Sequence, residues 1–168
     1  MTSAGKINTA LKAEVKRRLF DECHARIISC VHMLSEDELW WRPNNESNSI
    51  GNLILHLDGN VRQWIIGGIS GAKDVRQRQQ EFDERGPMPV DDLLSRLDET
   101  MTLAQDVIND VGEEELLELR DVQTFSESVL SILVHVTEHF SYHTGQIAWI
   151  TKRLLDKQLG FYDGIDLE

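Results

Sequence analysis

Apolar residues recur every three or four positions over four long stretches of the chain, the spacing of helices that each bury one face. The first stretch runs from about Lys6 to Leu34, with Ile7, Leu11, Val15, Leu19, Cys23, Ile27, Cys30, Val31 and Leu34 in register. Ser35-Glu36-Asp37-Glu38 then has the Ser-x-x-Glu form of a capping box, predicting a short helical turn through Leu39 to Trp41 before Pro43 stops it. Polar residues Asn44 to Asn48 lead to a second helix from Ser49 or Ile50 to Ile69, capped by Asn48 or Ser49 and ended by Gly67, Gly68 and Gly71. Residues 70–89 are mixed charged and polar and finish in Gly86-Pro87-Met88-Pro89, the composition of a long crossover connection. A third helix is predicted over Val90 to Asn109. After Gly112, Glu113 to Thr124 is acidic and weakly patterned, and Ser126-Glu127-Ser128 opens a fourth helix that runs to about Gln158. All three prolines, Pro43, Pro87 and Pro89, fall between these stretches, and no stretch alternates as a strand would. The expected fold is therefore all-α, a four-helix bundle with a long crossover connection, formed as one domain over residues 1–168 with its core at about 6–158.

Composition narrows the partners. A formal net charge of -12, with lysine and arginine dispersed, argues against binding nucleic acid or an anionic membrane surface, both of which are themselves negative. No apolar run is long enough to span a bilayer, and Met1 to Ala10 lacks the pattern of a secretory signal. Cys23 and Cys30 are seven residues apart on one predicted helix, too far apart to bridge each other. Reduced core thiols in a cytoplasmic protein are expected.

Six histidines carry the candidate chemistry. His135, His139 and His143 follow one another at four-residue intervals, so each is displaced by roughly 40° around the fourth helix from its neighbour. The apolar face of that helix, marked by Ile132, Val136, Phe140, Ile147, Ile150 and Leu154, includes His139 and His143, with His135 at its near edge. Glu138, Ser141, Thr144 and Gly145 fall away from it, toward solvent or a neighbouring chain, and Trp149 lies opposite as a candidate dimer contact. An inward imidazole needs a partner, because an unsatisfied buried polar group costs about 1–3 kcal/mol. Two readings satisfy the pair: hydrogen bonding to carbonyls or carboxylates in the core, or shared coordination of a metal ion, since an i, i+4 pair aims both rings at one point. On the second helix His56 and Asn60 lie beside the apolar stripe of Ile50, Leu53, Leu57, Val61 and Trp64, which makes His56 the candidate third ligand. His135, Asn60 and Gln146 are candidate surroundings of the site, whereas His24 and His32 have no ligand spacing.

These residues resemble the DinB-like family of DNA-damage-inducible four-helix-bundle proteins. Trp41-Arg42-Pro43, Asn48-Ser49-Ile50-Gly51 and His56 are similar to its entry into the second helix, and His139-x-x-x-His143-Thr144-Gly145-Gln146-Ile147 to its closing motif. The resemblance implies a divalent metal, zinc or nickel, held by His56, His139 and His143, and a homodimer. Related members imply a thiol transferase acting with a low-molecular-weight thiol on a small-molecule substrate. Thr144 stands where many members have arginine, which marks a subgroup. A metal-dependent transferase or hydrolase is thus one expectation and a non-enzymatic dimeric metal-binding or stress-related module the other. The residues single out no general base. Gly145 within a helix disfavours that helix by about 1 kcal/mol relative to alanine, and close approach of another helix is the expected reason.

Overall fold

The computed structural model describes residues 2–166. The first long helix begins at α1 (Ser3–Lys16), capped by the Thr2 hydroxyl accepting from the Gly5 N–H, widens into π-helical turns over Arg17–His24, and ends in α2 (Ala25–Val31). Its buried face is the predicted one, with Leu19, Ile27, Cys30 and Val31 essentially inaccessible and both cysteines unbridged. The capping box at Ser35 forms as predicted and starts the short α3 (Glu36–Leu39).

Helix α4 (Ile50–Val61) occupies the centre of the molecule, and all twelve of its residues are buried. Ser49 is its cap, and Asn52 completes a capping box by accepting from the Ser49 N–H at 3.2 Å. The helix continues as π-helical turns through Arg62–Gly67. Around α4 pack α6 (Val90–Asp110) and α7 (Val129–Leu155), and the first long helix packs on α7 and closes on α6. This arrangement makes the fold the expected all-α bundle, with one continuous apolar cluster drawn from all four long helices. None of the described helices is long and apolar enough to cross a membrane.

Two segments differ from expectation. The crossover contains a helix, α5 (Arg78–Asp83), whose backbone is gripped from α4: the Asn52 side-chain amide donates to the carbonyls of Glu81 at 2.8 Å and Glu84 at 2.9 Å. The acidic stretch after Gly112 holds a 3-10 turn and an antiparallel hairpin of β1 (Leu119–Val122) and β2 (Phe125–Ser128), paired from Leu119 opposite Ser128 to Val122 opposite Phe125. Only Val122 of its eight residues is buried, so there was no alternation to reveal the strands, and the Gln123-Thr124 turn lacks the usual glycine although Gln123 has φ of 56°. The hairpin delays the last helix, which starts at Val129 with Ser128 as its cap.

One expectation about α7 also needs correction, and a second is not met within the single chain. Thr144 is buried rather than solvent-facing, and its hydroxyl donates to the Phe140 carbonyl while the side chain meets Cys23 on the first helix. Gly145 has no helix of this chain against it, since a Cβ there would meet nothing within 4 Å among the described residues. Close approach does occur at Gly51, where a Cβ would lie 2.8 Å from the Trp40 ring.

The cap that starts α4 fixes the register of the central helix, so Ser49→Ala should lower unfolding free energy by about 1–2 kcal/mol in urea titrations. Glu46→Ala, at an exposed position in the loop just before it, should leave the midpoint within error if the capping account holds.

Candidate metal centre

Helices α4 and α7 bring His56, His139 and His143 together inside the bundle, with candidate ligand nitrogens all within 4.8 Å of one another. His56 and His143 are buried and His139 is half-buried. The Nε2 atoms of His56 and His139 are 2.9 Å apart. A tetrahedral zinc ion with Zn–N bonds near 2.0–2.1 Å spaces its ligands roughly 3.3 Å apart, so the three nitrogens bracket the separation such an ion requires. The donor set fits a divalent ion.

The outer nitrogens determine which lone pairs are left for a ligand role. His56 Nδ1 lies 3.0 Å from Glu81 Oε2, and Glu81 is itself clamped by Arg76, whose Nε donates to Oε1 at 2.7 Å and Nη2 to Oε2 at 2.8 Å. Burial alone would raise the Glu81 carboxyl, but the Arg76 and His56 contacts more than offset it and hold its pKa below the ordinary value. An ionised carboxylate only accepts, so a proton on His56 Nδ1 satisfies Glu81 and leaves Nε2 unprotonated toward the centre, although Arg76 Nη2, a donor, also lies 3.1 Å from that Nδ1. His143 repeats the arrangement with a neutral partner, its Nδ1 donating to Gln146 Oε1 at 2.7 Å.

Glu81 reaches His56 only because residue 59 is glycine. A Cβ at Gly59 would lie 2.1 Å from Glu81 Oε1 and 2.8 Å from Arg76 Nε. The clamp is held further by Gln63 Oε1, which accepts from Arg76 Nη1 at 2.9 Å and from Gln123 Nε2 at 2.6 Å, tying the hairpin turn to the same network. Sequence reasoning missed Arg76 and Glu81. Both lie in an aperiodic charged segment, and nothing in their spacing distinguishes them from the chain's other charged residues.

The expected surroundings are placed unevenly. Gln146 contacts His143 as described. His135 packs between Trp64, at 4.4 Å between ring centroids, and His139, at 5.7 Å, and so adjoins the centre without joining it. Asn60 is buried one turn beyond His56, forms no hydrogen bond to the three rings, and leaves its Oδ1 without a partner among the described residues. His24 sits apart, its Nε2 2.8 Å from Asp98 on α6. On its outer side His139 opens into a shallow surface hollow that also exposes His135, Glu138 and Tyr142.

Burial, followed by the neighbouring charges of His143, His56, His135 and Arg76, pushes His139 down to about 3 from 6.5. Burial also lowers His143, partly opposed by Gln146. His139 therefore stays neutral well below pH 7, and His143 is shifted in the same direction. Between pH 6.5 and 3 the unfolded chain takes up a proton at residue 139 that the folded chain refuses, so folded stability is retained above this window and falls as pH drops through it. Metal-free protein should lose on the order of 1–2 kcal/mol from this group between pH 6.5 and 5, read from denaturant midpoints. His139→Gln should flatten the slope; an unchanged slope would exclude this origin.

A family model described as a protein of unknown function, DUF1572, matches residues 9–162. No curated protein matches the chain. A crystal structure of a conserved protein from Enterococcus faecalis superposes with a TM-score of 0.68 at 16% identity, covering 89% of this chain and 98% of that one, a likeness of fold. With all but the ends of its sequence matched, the chain belongs to the DUF1572 family.

Proposed function

We propose that His56, His139 and His143 hold one divalent ion, zinc or nickel, and that the protein is a DinB-like metal-dependent enzyme, a thiol-dependent transferase or a hydrolase acting on a small molecule. The observation that carries this reading is the convergence of three nitrogens from two helices, with the outer nitrogens of two rings held by acceptors. Any buried imidazole needs an acceptor for its outer nitrogen; what favours a metal is that the remaining nitrogens of all three rings meet at one point.

The residues would act as follows. Glu81, fixed by Arg76, orients His56 and raises the basicity of its inward nitrogen. Burial lowers the pKa of His139 and of His143 and so favours the unprotonated rings that coordinate, for His139 into mildly acidic pH. A divalent ion held by these three neutral imidazoles would keep its positive charge and would supply Lewis acidity toward a water or thiol. The hollow beside His139 admits substrate, with Glu138 and Tyr142 at its rim.

Protein purified without an affinity tag should contain about one zinc or nickel ion per chain by elemental analysis, and the His139→Ala, His143→Ala double variant almost none. Glu81→Gln keeps all three ligands and should weaken metal affinity by about 10–100-fold. Equal metal content in wild type and double variant would end the assignment. Incubating metal-loaded protein with a panel of thiols and electrophiles then separates enzyme from binding module: metal-dependent conjugation or hydrolysis supports the enzyme, and uniform inertness favours the module.

The second reading, a dimeric metal-binding or stress-related module, is favoured by one surface. Helix α7 exposes Tyr142 (64%) and Trp149 (61%) along the face that carries Gly145, where a Cβ would meet nothing within 4 Å among the described residues. A second copy packing there would bury both aromatics, and the missing Cβ would let its backbone come close. Sedimentation should then report a dimer, and Trp149→Glu a monomer with metal content unchanged; a monomeric wild type would remove the dimer from both readings.

A further inference from the structure

Behind His56, on the side away from the convergent nitrogens, lies a cleft of about 470 Å³ between the crossover and helices α4 and α6. We infer that this cleft binds a small organic anion, a carboxylate or phosphate carried on an apolar body. The chain as a whole is strongly acidic, yet Arg62, Lys73, Arg76 and Arg96 all line this one cavity.

The argument rests on which charges are already committed. Asp74 accepts from the Gln63 side chain at 2.7 Å and from the Arg76 backbone N–H at 2.9 Å. Glu84 accepts from the backbone N–H groups of Arg85 and Gly86, and Glu81 is held by Arg76 and His56. Every carboxylate in the wall thus has partners of its own. The cations do not. Lys73 has no ion-pair or hydrogen-bond partner among the described residues. Arg96 uses only its Nε, donating to Asp58 at 2.7 Å, so both terminal nitrogens remain available.

Asp58 explains how the arginines are aimed. It is 1% exposed and takes the Nε of Arg62 and of Arg96 together with the Thr100 hydroxyl, so one buried carboxylate anchors two guanidinium groups by their inner edges. Arg62 spends a terminal nitrogen on Glu99, whereas both terminal nitrogens of Arg96 are left as preset donors at the cleft, the arrangement that recognises carboxylate or phosphate oxygens. Leu55, Ile66 and Met88 supply the apolar lining, and the volume is that of a small-molecule site. Arg76 forms part of the same wall while holding Glu81 against His56, so an occupant would be sensed at His56.

This inference is independent of the metal assignment and is tested on metal-free protein. Isotope-labelled protein is titrated with phenyl phosphate and, separately, with benzoate, following the backbone amides of residues 72–77 and 96 and the His56 ring by NMR. Saturable shifts are expected for at least one probe below about 10 mM, identifying phosphate or carboxylate as the preferred head group. Lys73→Glu, at an exposed position with no partner to lose, should weaken binding by about tenfold or more, and Arg96→Gln by a similar factor. Absence of saturable shifts with both probes would overturn the inference, as would unchanged affinity in both variants.

Discussion

The hydrogen bond between Glu81 and His56 is the constraint on which much of this molecule turns. An imidazole at the centre of an apolar bundle needs an acceptor for its outer nitrogen, and helix α4, every residue of which is buried, has no acidic neighbour of its own placed there. The carboxylate comes instead from the crossover. That demand accounts for several otherwise separate features: a short helix inside a connecting segment, an arginine only 4% exposed that neutralises the imported carboxylate, a glycine where any side chain would collide with it, and an asparagine that holds the crossover backbone in place. A buried charge is tolerable when paired and fully hydrogen-bonded, and both oxygens of Glu81 are engaged.

A second buried carboxylate, Asp58, does comparable work two residues after His56. Helix periodicity turns it to a different side, where it joins α4 to α6 through Arg96 and Thr100. The central helix therefore carries its polar groups on more than one face, each met by a different neighbour. Apolar packing sets the helices beside one another, and these polar pairs specify how they are rotated and aligned.

The long helices were legible because each buries a continuous stripe, and a period of 3.6 residues survives over twenty positions; α6 ends within one residue of its expected limits. The inward faces of His56, His139 and His143 were legible for the same reason, since helical spacing fixes the side on which a residue lies, whereas their grouping into one set of three rested largely on the family resemblance. The hairpin was not, because strands of four residues lying on the surface need no apolar alternation. Glu81 and Arg76 were hidden by a different physics. Their pairing depends on where an aperiodic segment folds back in three dimensions, and charge alone gives no register. Thr144 misled for a simpler reason: a hydroxyl that bonds to the carbonyl four residues back is satisfied within its own helix and can be buried without any outside partner.

The origin of Glu81 in a connecting segment has a consequence for how such a protein can diversify. Insertions and substitutions are tolerated most readily between the long helices, where few packing constraints must be met at once. Here one such region contains the group that sets the electron-donating strength of a core imidazole. Descendants of this fold could therefore acquire new reactivity by rewriting a surface segment while keeping the three histidines and the packed interior intact, so that adaptability and robustness reside in different parts of one chain.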